Sequence, residues 1–225
     1  MNKGDLKSAG TLARQFGVKI LCYGQPGSGK TPIAASLPNP VMCVTEPGML
    51  SMRNINIPAF EAYTADKASE FFEWLFKSKE AASFDTVIID SVSQLAELIL
   101  TQELERNKDG RAAYGMLSRR MMVHLNGLYF LEGKHVYLTA KESKDDVNGV
   151  VTRKPYFPGQ DLNVKVPHLF DEIFYLGEAR VPTMPKPVTA LRTQSTFGIL
   201  ARDRSGRLNE LEPPDLGAVI IKCLS

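Results

Sequence analysis

Gly24-Gln-Pro-Gly-Ser-Gly-Lys-Thr31 is the stretch on which the reading of this chain turns. It fits the pattern G-x-x-x-x-G-K-[ST] at every fixed position and lies between two segments of opposite character. Ahead of it, Val18-Lys-Ile-Leu-Cys-Tyr23 is short, apolar and ends at glycine, which predicts a buried strand running into a tight turn. Behind it, the pattern predicts a helix over about residues 29–37. Pro32 fits that helix's first turn, where a missing N–H costs little, and Pro38 and Pro40 close the segment. Glycines at this spacing let successive backbone N–H groups face a phosphate, and a following helix adds the positive end of its dipole. Gly24, Gln25, Pro26, Gly27, Ser28, Gly29, Lys30, Thr31 and Pro32 are therefore the expected nucleotide-binding residues. Lys30 is placed to reach the β- and γ-phosphates of ATP, and the Thr31 hydroxyl to reach Mg²⁺.

Outward from this loop, strands and helices alternate. Pro40-Val-Met-Cys-Val-Thr45 reads as a second apolar strand, followed by a turn at Glu46-Pro-Gly48. Ala68, Phe71, Phe72, Leu75 and Phe76 recur at helical spacing after Asp66, a candidate cap, and predict a helix over 66–82. Thr86-Val-Ile-Ile-Asp90 is a β-branched strand ending in a carboxylate, and an amphipathic helix follows Ser91 to about Leu104. Residues 113–131 read as a further helix and 135–140 as another buried strand. This alternation predicts an α/β fold with a mostly parallel sheet flanked by helices. The polar stretch 141–165 is expected to be a projecting loop or hairpin. Strand-like patterning returns at 172–177 and 189–201 as a C-terminal β-rich extension, and Pro213-Pro-Asp215 starts a short terminal helix. With 225 residues the chain is expected to form one domain over 1–225, with 1–16 as an N-terminal extension.

Composition narrows the function classes. The chain is 44% hydrophobic and 23% charged, near the averages of globular proteins, and its net charge of +2 gives no global footprint for nucleic acid. The N-terminal segment lacks the apolar core of a signal peptide, and no run has the length of a membrane span, so a cytoplasmic protein with no membrane partner is expected. Cys22, Cys43 and Cys223 are far apart and read as inert core thiols, while His124, His135 and His168 lack metal-ligand spacing.

Two acids stand where a phosphate loop needs them. Asp90 ends its strand in the position of a carboxylate that holds Mg²⁺ through water together with Thr31, or else caps the following helix. The position after it, where many ring ATPases carry a glutamate, is Ser91. Glu46 ends the second strand on the same carboxyl edge and is the candidate for orienting the attacking water, against the alternative of an ordinary turn glutamate.

Taken together, Tyr23-Gly-Gln-Pro-Gly-Ser-Gly-Lys-Thr31, Thr45-Glu-Pro-Gly48, Phe84-Asp-Thr-Val-Ile-Ile-Asp-Ser91, the strand through Thr139 and Ala201-Arg-Asp-Arg204 resemble the RecA class of P-loop ATPases. The pattern is similar to that of phage-encoded RecA-like ATPases grouped as AAA-type nucleotide-binding proteins, some of which are single-strand annealing proteins. The resemblance implies a RecA-like P-loop NTPase core over most of residues 17–220. It also implies Mg²⁺-dependent ATP binding and hydrolysis, and action on single-stranded DNA in phage recombination or replication, in the host cytoplasm.

By the same resemblance Glu46 is the water-activating residue and Lys141 stands where a γ-phosphate sensor usually lies. Arg202 and Arg204 resemble a basic pair that reaches a neighbouring subunit's nucleotide, which implies a homo-oligomer; the alternative is a solvated basic turn. Two segments could face DNA: 108–120, with Lys108, Arg111, Tyr114, Arg119 and Arg120, and 141–165, where Lys144, Arg153 and Lys154 mix with Tyr156 and Phe157. Two other functions fit a phosphate loop: a nucleotide-gated binding module with little hydrolysis, and a small-molecule kinase.

Overall fold

The computed structural model describes residues 6–147, 149–181, 184–196 and 198–225. Residues 1–5 of the expected extension, Asn148 of the expected loop and Phe197 of the expected strand 189–201 lie outside them.

The core is a parallel sheet built from the apolar runs: β1 (Lys19–Gly24), β2 (Pro40–Val44), β4 (Thr86–Asp90), β5 (His135–Val147) and β7 (Glu172–Ala179). Every residue of β1 and β4 is buried, as continuous apolar runs without polar alternation require when helices cover both faces. The strand order is β7-β1-β5-β4-β2, with the short β3 (Ala59–Glu61) at the edge beyond β2. One strand, β5, therefore separates the strand that feeds the phosphate loop from the strand that ends in Asp90. Antiparallel additions extend the sheet past β7: β8 (Val188–Arg192), β9 (Arg202–Asp203) and β10 (Leu211–Glu212). These make up the expected C-terminal β-rich extension.

One face of the sheet carries α2 (Ala65–Lys77), α3 (Val92–Arg106) and α4 (Gly110–Tyr129), whose Phe71, Phe72, Leu95, Ile99, Leu117 and Met121 pack on Leu21, Val87, Ile89 and Leu138. On the other face α6 (Leu216–Leu224), capped by Asp215, places Leu216, Val219 and Ile220 against Ile20, Met42, Ile88 and Tyr137. No described helix is long and apolar enough to cross a membrane.

Several expected boundaries move. The helix expected over 29–37 is a turn followed by a 3₁₀ helix, Pro32–Ser36, because Pro32 and Pro38 leave too few residues for a second turn. α2 is capped by the Thr64 hydroxyl, which accepts from Lys67 N at 3.2 Å, so Asp66 is a first-turn acid and not the cap. The segment 141–165 is ordered: β5 runs on past the sheet and pairs antiparallel with β6 (Val150–Pro155) as a projecting hairpin, followed by α5 (Gln160–Lys165). The N-terminal extension contains α1 (Ala9–Gln15), none of whose residues is buried.

Candidate functional site

The loop 24–31 closes over the carboxyl end of β1. Gly24 is obligatory there, since a Cβ at this position would stand 2.3 Å from the Leu176 carbonyl oxygen of β7. Gly29 has φ +97, a conformation that side chains rarely adopt. The Lys30 ammonium donates to the carbonyl oxygens of Gly24 and Gln25, both at 2.9 Å, and to Ser28 Oγ at 3.3 Å. Its own carbonyl accepts from the fully buried Tyr137 hydroxyl at 2.8 Å, which ties the loop to β5. Burial lowers the Lys30 pKa, while Cys22 and the carboxylates of Asp90, Glu142 and Glu46 pull it back up.

Asp90 is bracketed by hydroxyls. Thr31 Oγ1 donates to its Oδ2 at 2.8 Å, and Thr139 Oγ1 of β5 donates to its Oδ1. The helix that follows is capped by Ser91, whose Oγ accepts from Gln94 N at 3.2 Å, so the capping alternative for Asp90 is corrected and its carboxylate belongs to the loop. The Asp90–Ser91 peptide bond is cis. Across it, Thr45 Oγ1 accepts from Ser91 N at 2.8 Å and donates to Ser91 O at 2.9 Å. Ser91 Oγ donates to Glu46 Oε1 at 3.2 Å. The ends of β1, β2, β4 and β5 thus bring Lys30, Thr31, Glu46 and Asp90 to one edge. Beside the loop a cleft of about 410 Å³ opens between residues 25–28 and Tyr175, Glu178 and Thr189.

With this geometry in view, the profile of the AAA domain family matches residues 17–205. The chain belongs to the AAA domain family. No curated protein matches it. Among solved structures, a KaiC-like protein from the hyperthermophilic archaeon Pyrococcus horikoshii is similar at 17% identity and a TM-score of 0.41, with 78% of each chain covered.

The remaining candidate residues of this AAA domain fall away from the loop. Lys141 lies opposite Gly24 in the β1–β5 register, yet its ammonium is held on α3 by Gln94 Oε1 at 2.7 Å and Glu97 Oε2 at 2.6 Å. That pairing directs it to the helix and corrects the sensor reading. Arg202 and Arg204 stand at the amino edge, because β9 pairs with the first residues of β7. The Arg202 guanidinium donates to the carbonyls of Pro167 and Phe170 and so pins the loop before β7, a structural task in place of the trans-acting one expected. Arg204 pairs with Asp171 at 2.8 Å and keeps 44% of its side chain exposed.

In the hairpin of the AAA domain, Arg153 and Lys144 share Glu142, and Lys154 pairs with Asp145. Phe157 is 1% exposed and belongs to the core, so the expected mix of free cations and stacking aromatics is not what this segment presents. Lys108 just before α4, and Arg111 and Arg119 within it, are exposed and without ion pairs among the described residues, and Tyr114 of the same helix is exposed too. Arg120 turns inward to Glu103 at 2.7 Å.

Sequence reasoning missed Thr139, Thr45 and Glu142. The first two are buried hydroxyl residues within or ending apolar strands, and a threonine fully enclosed among aliphatics is itself a sign of a polar partner. Cys22 and Cys43 are buried and burial pushes both thiols up to about 12, as expected of inert core cysteines.

Proposed function

We propose that this AAA domain protein binds ATP with Mg²⁺ at the loop 24–31 and hydrolyses it. The observation that carries the reading is the convergence of Lys30, Thr31, Asp90 and Glu46 on one sheet edge through the bonds Thr31–Asp90 at 2.8 Å and Ser91–Glu46 at 3.2 Å. A threonine hydroxyl and a carboxylate form a hard-oxygen donor pair suited to Mg²⁺, which takes few protein ligands and completes its shell with water and phosphate oxygens. Bound there, Mg²⁺ would neutralise charge between the β- and γ-phosphates.

In this reading Lys30 leaves the carbonyls of Gly24 and Gln25 for the phosphates, which bind an ammonium more strongly because they carry full charge. Glu46, oriented by Ser91, accepts the proton of the attacking water. Single-stranded DNA is the proposed partner, in strand annealing during phage recombination or replication. Its contact surface is assigned to the start of α4 and the residues just before it, where Lys108, Arg111 and Tyr114 are exposed. Cations beside an exposed ring combine backbone charge with base stacking. A head-to-tail homo-oligomer is the proposed assembly, with Arg204 as the member of the basic pair left to reach a neighbour.

The test is ATP turnover by the purified protein with Mg²⁺, with and without single-stranded DNA, alongside Lys30→Ala and Glu46→Gln. Lys30→Ala is expected to lose binding, and Glu46→Gln to bind ATP normally and lose turnover about 100-fold, equivalent to about 2.7 kcal/mol in the barrier. Turnover unchanged in Glu46→Gln would remove the assigned base. Tight binding with no turnover in the wild type would favour a nucleotide-gated module.

A further inference from the structure

Because β5 outruns β1, the hairpin begins level with Gly24, where the phosphate loop starts. Gly24 is level with Lys141 in the β1–β5 register, and Glu142 is the next residue of β5, opposite Pro155 of β6. The Glu142 side chain is only 4% exposed. Its Oε1 accepts from Arg153 Nη1 at 2.6 Å, and Lys144 Nζ stands 3.8 Å from the same oxygen. Its Oε2 is buried without a partner among the described residues. Arg153 is anchored through its backbone: its carbonyl accepts from the hydroxyl of Tyr23, the residue before Gly24, at 2.9 Å. Of its guanidinium, only Nη1 has a hydrogen-bond partner among the described residues.

A guanidinium with spare N–H groups, anchored through its backbone to the residue that precedes the phosphate loop, has two anionic partners open to it once a nucleotide is present. Phosphate offers bidentate geometry, which a guanidinium matches better than an ammonium does. Glu142 would not then be stranded, since Lys144 already lies within ion-pair distance of it. We propose that Arg153 is a cis-acting phosphate sensor that exchanges Glu142 for the terminal phosphate of the bound nucleotide, with Lys144 taking over the carboxylate. The exchange repacks the base of the hairpin, so the nucleotide state is transmitted to β6. This inference rests on the loop 24–31 holding a nucleotide.

The experiment is calorimetric titration of a non-hydrolysable ATP analogue and of ADP, each with Mg²⁺, into the full chain and its Arg153→Ala, Arg153→Lys and Glu142→Gln variants. The readout is the ratio of the two affinities. Arg153→Ala is expected to lower the preference for the triphosphate at least tenfold while ADP binding holds, and Arg153→Lys to recover part of it. Glu142→Gln, which releases Arg153 from its competitor, is expected to raise the preference severalfold. An ion pair of purely structural value would be damaged from either side. A ratio that moves the same way in Arg153→Ala and Glu142→Gln, or does not move, therefore overturns the sensor. Should Arg153→Ala fail to fold, Arg153→Lys decides with Glu142→Gln, since it keeps the charge and loses the fork. A wild type that binds neither nucleotide overturns the loop reading itself, and the sensor with it.

Discussion

Asp90 accepts hydroxyl protons on both carboxylate oxygens, from Thr31 on one side and Thr139 on the other. An amide at this position keeps one acceptor and turns the other into a donor, which then faces a hydroxyl that had been donating. Asp90→Asn is therefore expected to keep the fold, weaken Mg²⁺ dependence and lower turnover about 100-fold, a loss of about 2.7 kcal/mol. Turnover titrated against Mg²⁺ checks this, and an unchanged Mg²⁺ requirement would remove Asp90 from the metal site. Tyr137 acts on the same loop from below, through its bond to the Lys30 carbonyl at 2.8 Å. Tyr137→Phe leaves that carbonyl short of a partner, at a cost of about 1–3 kcal/mol. For a chain of this length the melting midpoint is expected to drop by about 2–4 °C per kcal/mol. A thermal melt checks it, and a midpoint equal to the wild type would mean that water replaces the phenol.

Between β1 and the 3₁₀ helix Pro32–Ser36, the loop is held by close approach to β7 more than by helix capping. Gly24→Ala would drive a methyl group into the Leu176 carbonyl, 2.3 Å away, so the loop must lift from β7. The expected result is a lower melting midpoint together with lost nucleotide binding, measured on the same sample. Normal binding at an unchanged midpoint would show that the loop has room to yield. The strands β1, β2, β4 and the first half of β5 were legible in the sequence because burial on both faces makes them continuous apolar runs. β3, with two of its three residues exposed, carries no such signal. The register of β5 on β6 was hidden because alternating charges specify partners only once the pairing is known. Arg202 could not be read either: its partners are the carbonyls of Pro167 and Phe170, and a backbone oxygen has no residue type. Lys30, Thr31, Glu46 and Asp90 were legible because the motif and the strand ends fix their edge, whereas Thr139 and Glu142 enter the site only through the position of β5 between β1 and β4.

Across the whole molecule the sheet has two unlike edges. The carboxyl edge gathers the phosphate loop, while the amino edge carries a cleft of about 450 Å³ lined by Arg14, Asp171, Glu172, Arg204 and Arg207. Under that cleft Glu172 of β7 lies opposite Asp203 of β9, with its Oε2 buried and without a partner among the described residues. Burial, and then the Asp203 carboxylate, push the Glu172 pKa from 4.5 up to about 8. Burial also pushes Asp203 upward, but bonds from the Ser205 hydroxyl and from the N–H groups of Leu208 and Gly206 outweigh it and hold Asp203 low, so the proton sits on Glu172. A carboxyl raised on folding stabilises less as pH rises: its contribution is greatest below 4.5, where both states are protonated, falls between 4.5 and about 8, and is flat above. Lys19, lowered to about 8 by burial, drives stability the other way above that pH, so wild type alone would not isolate the effect. Glu172→Gln preserves the shape of the neutral acid and cannot ionise. Its melting midpoint is expected to match the wild type within a degree or so near pH 4.5 and to exceed it by on the order of 5 °C near pH 9, a gap that opens through the window set by the two Glu172 pKa values. Melting curves of both proteins across that range are the measurement. A constant difference at every pH would place the proton elsewhere, and the amino edge would then owe its stability to the ion pair of Arg204 with Asp171 and the carbonyl grip of Arg202.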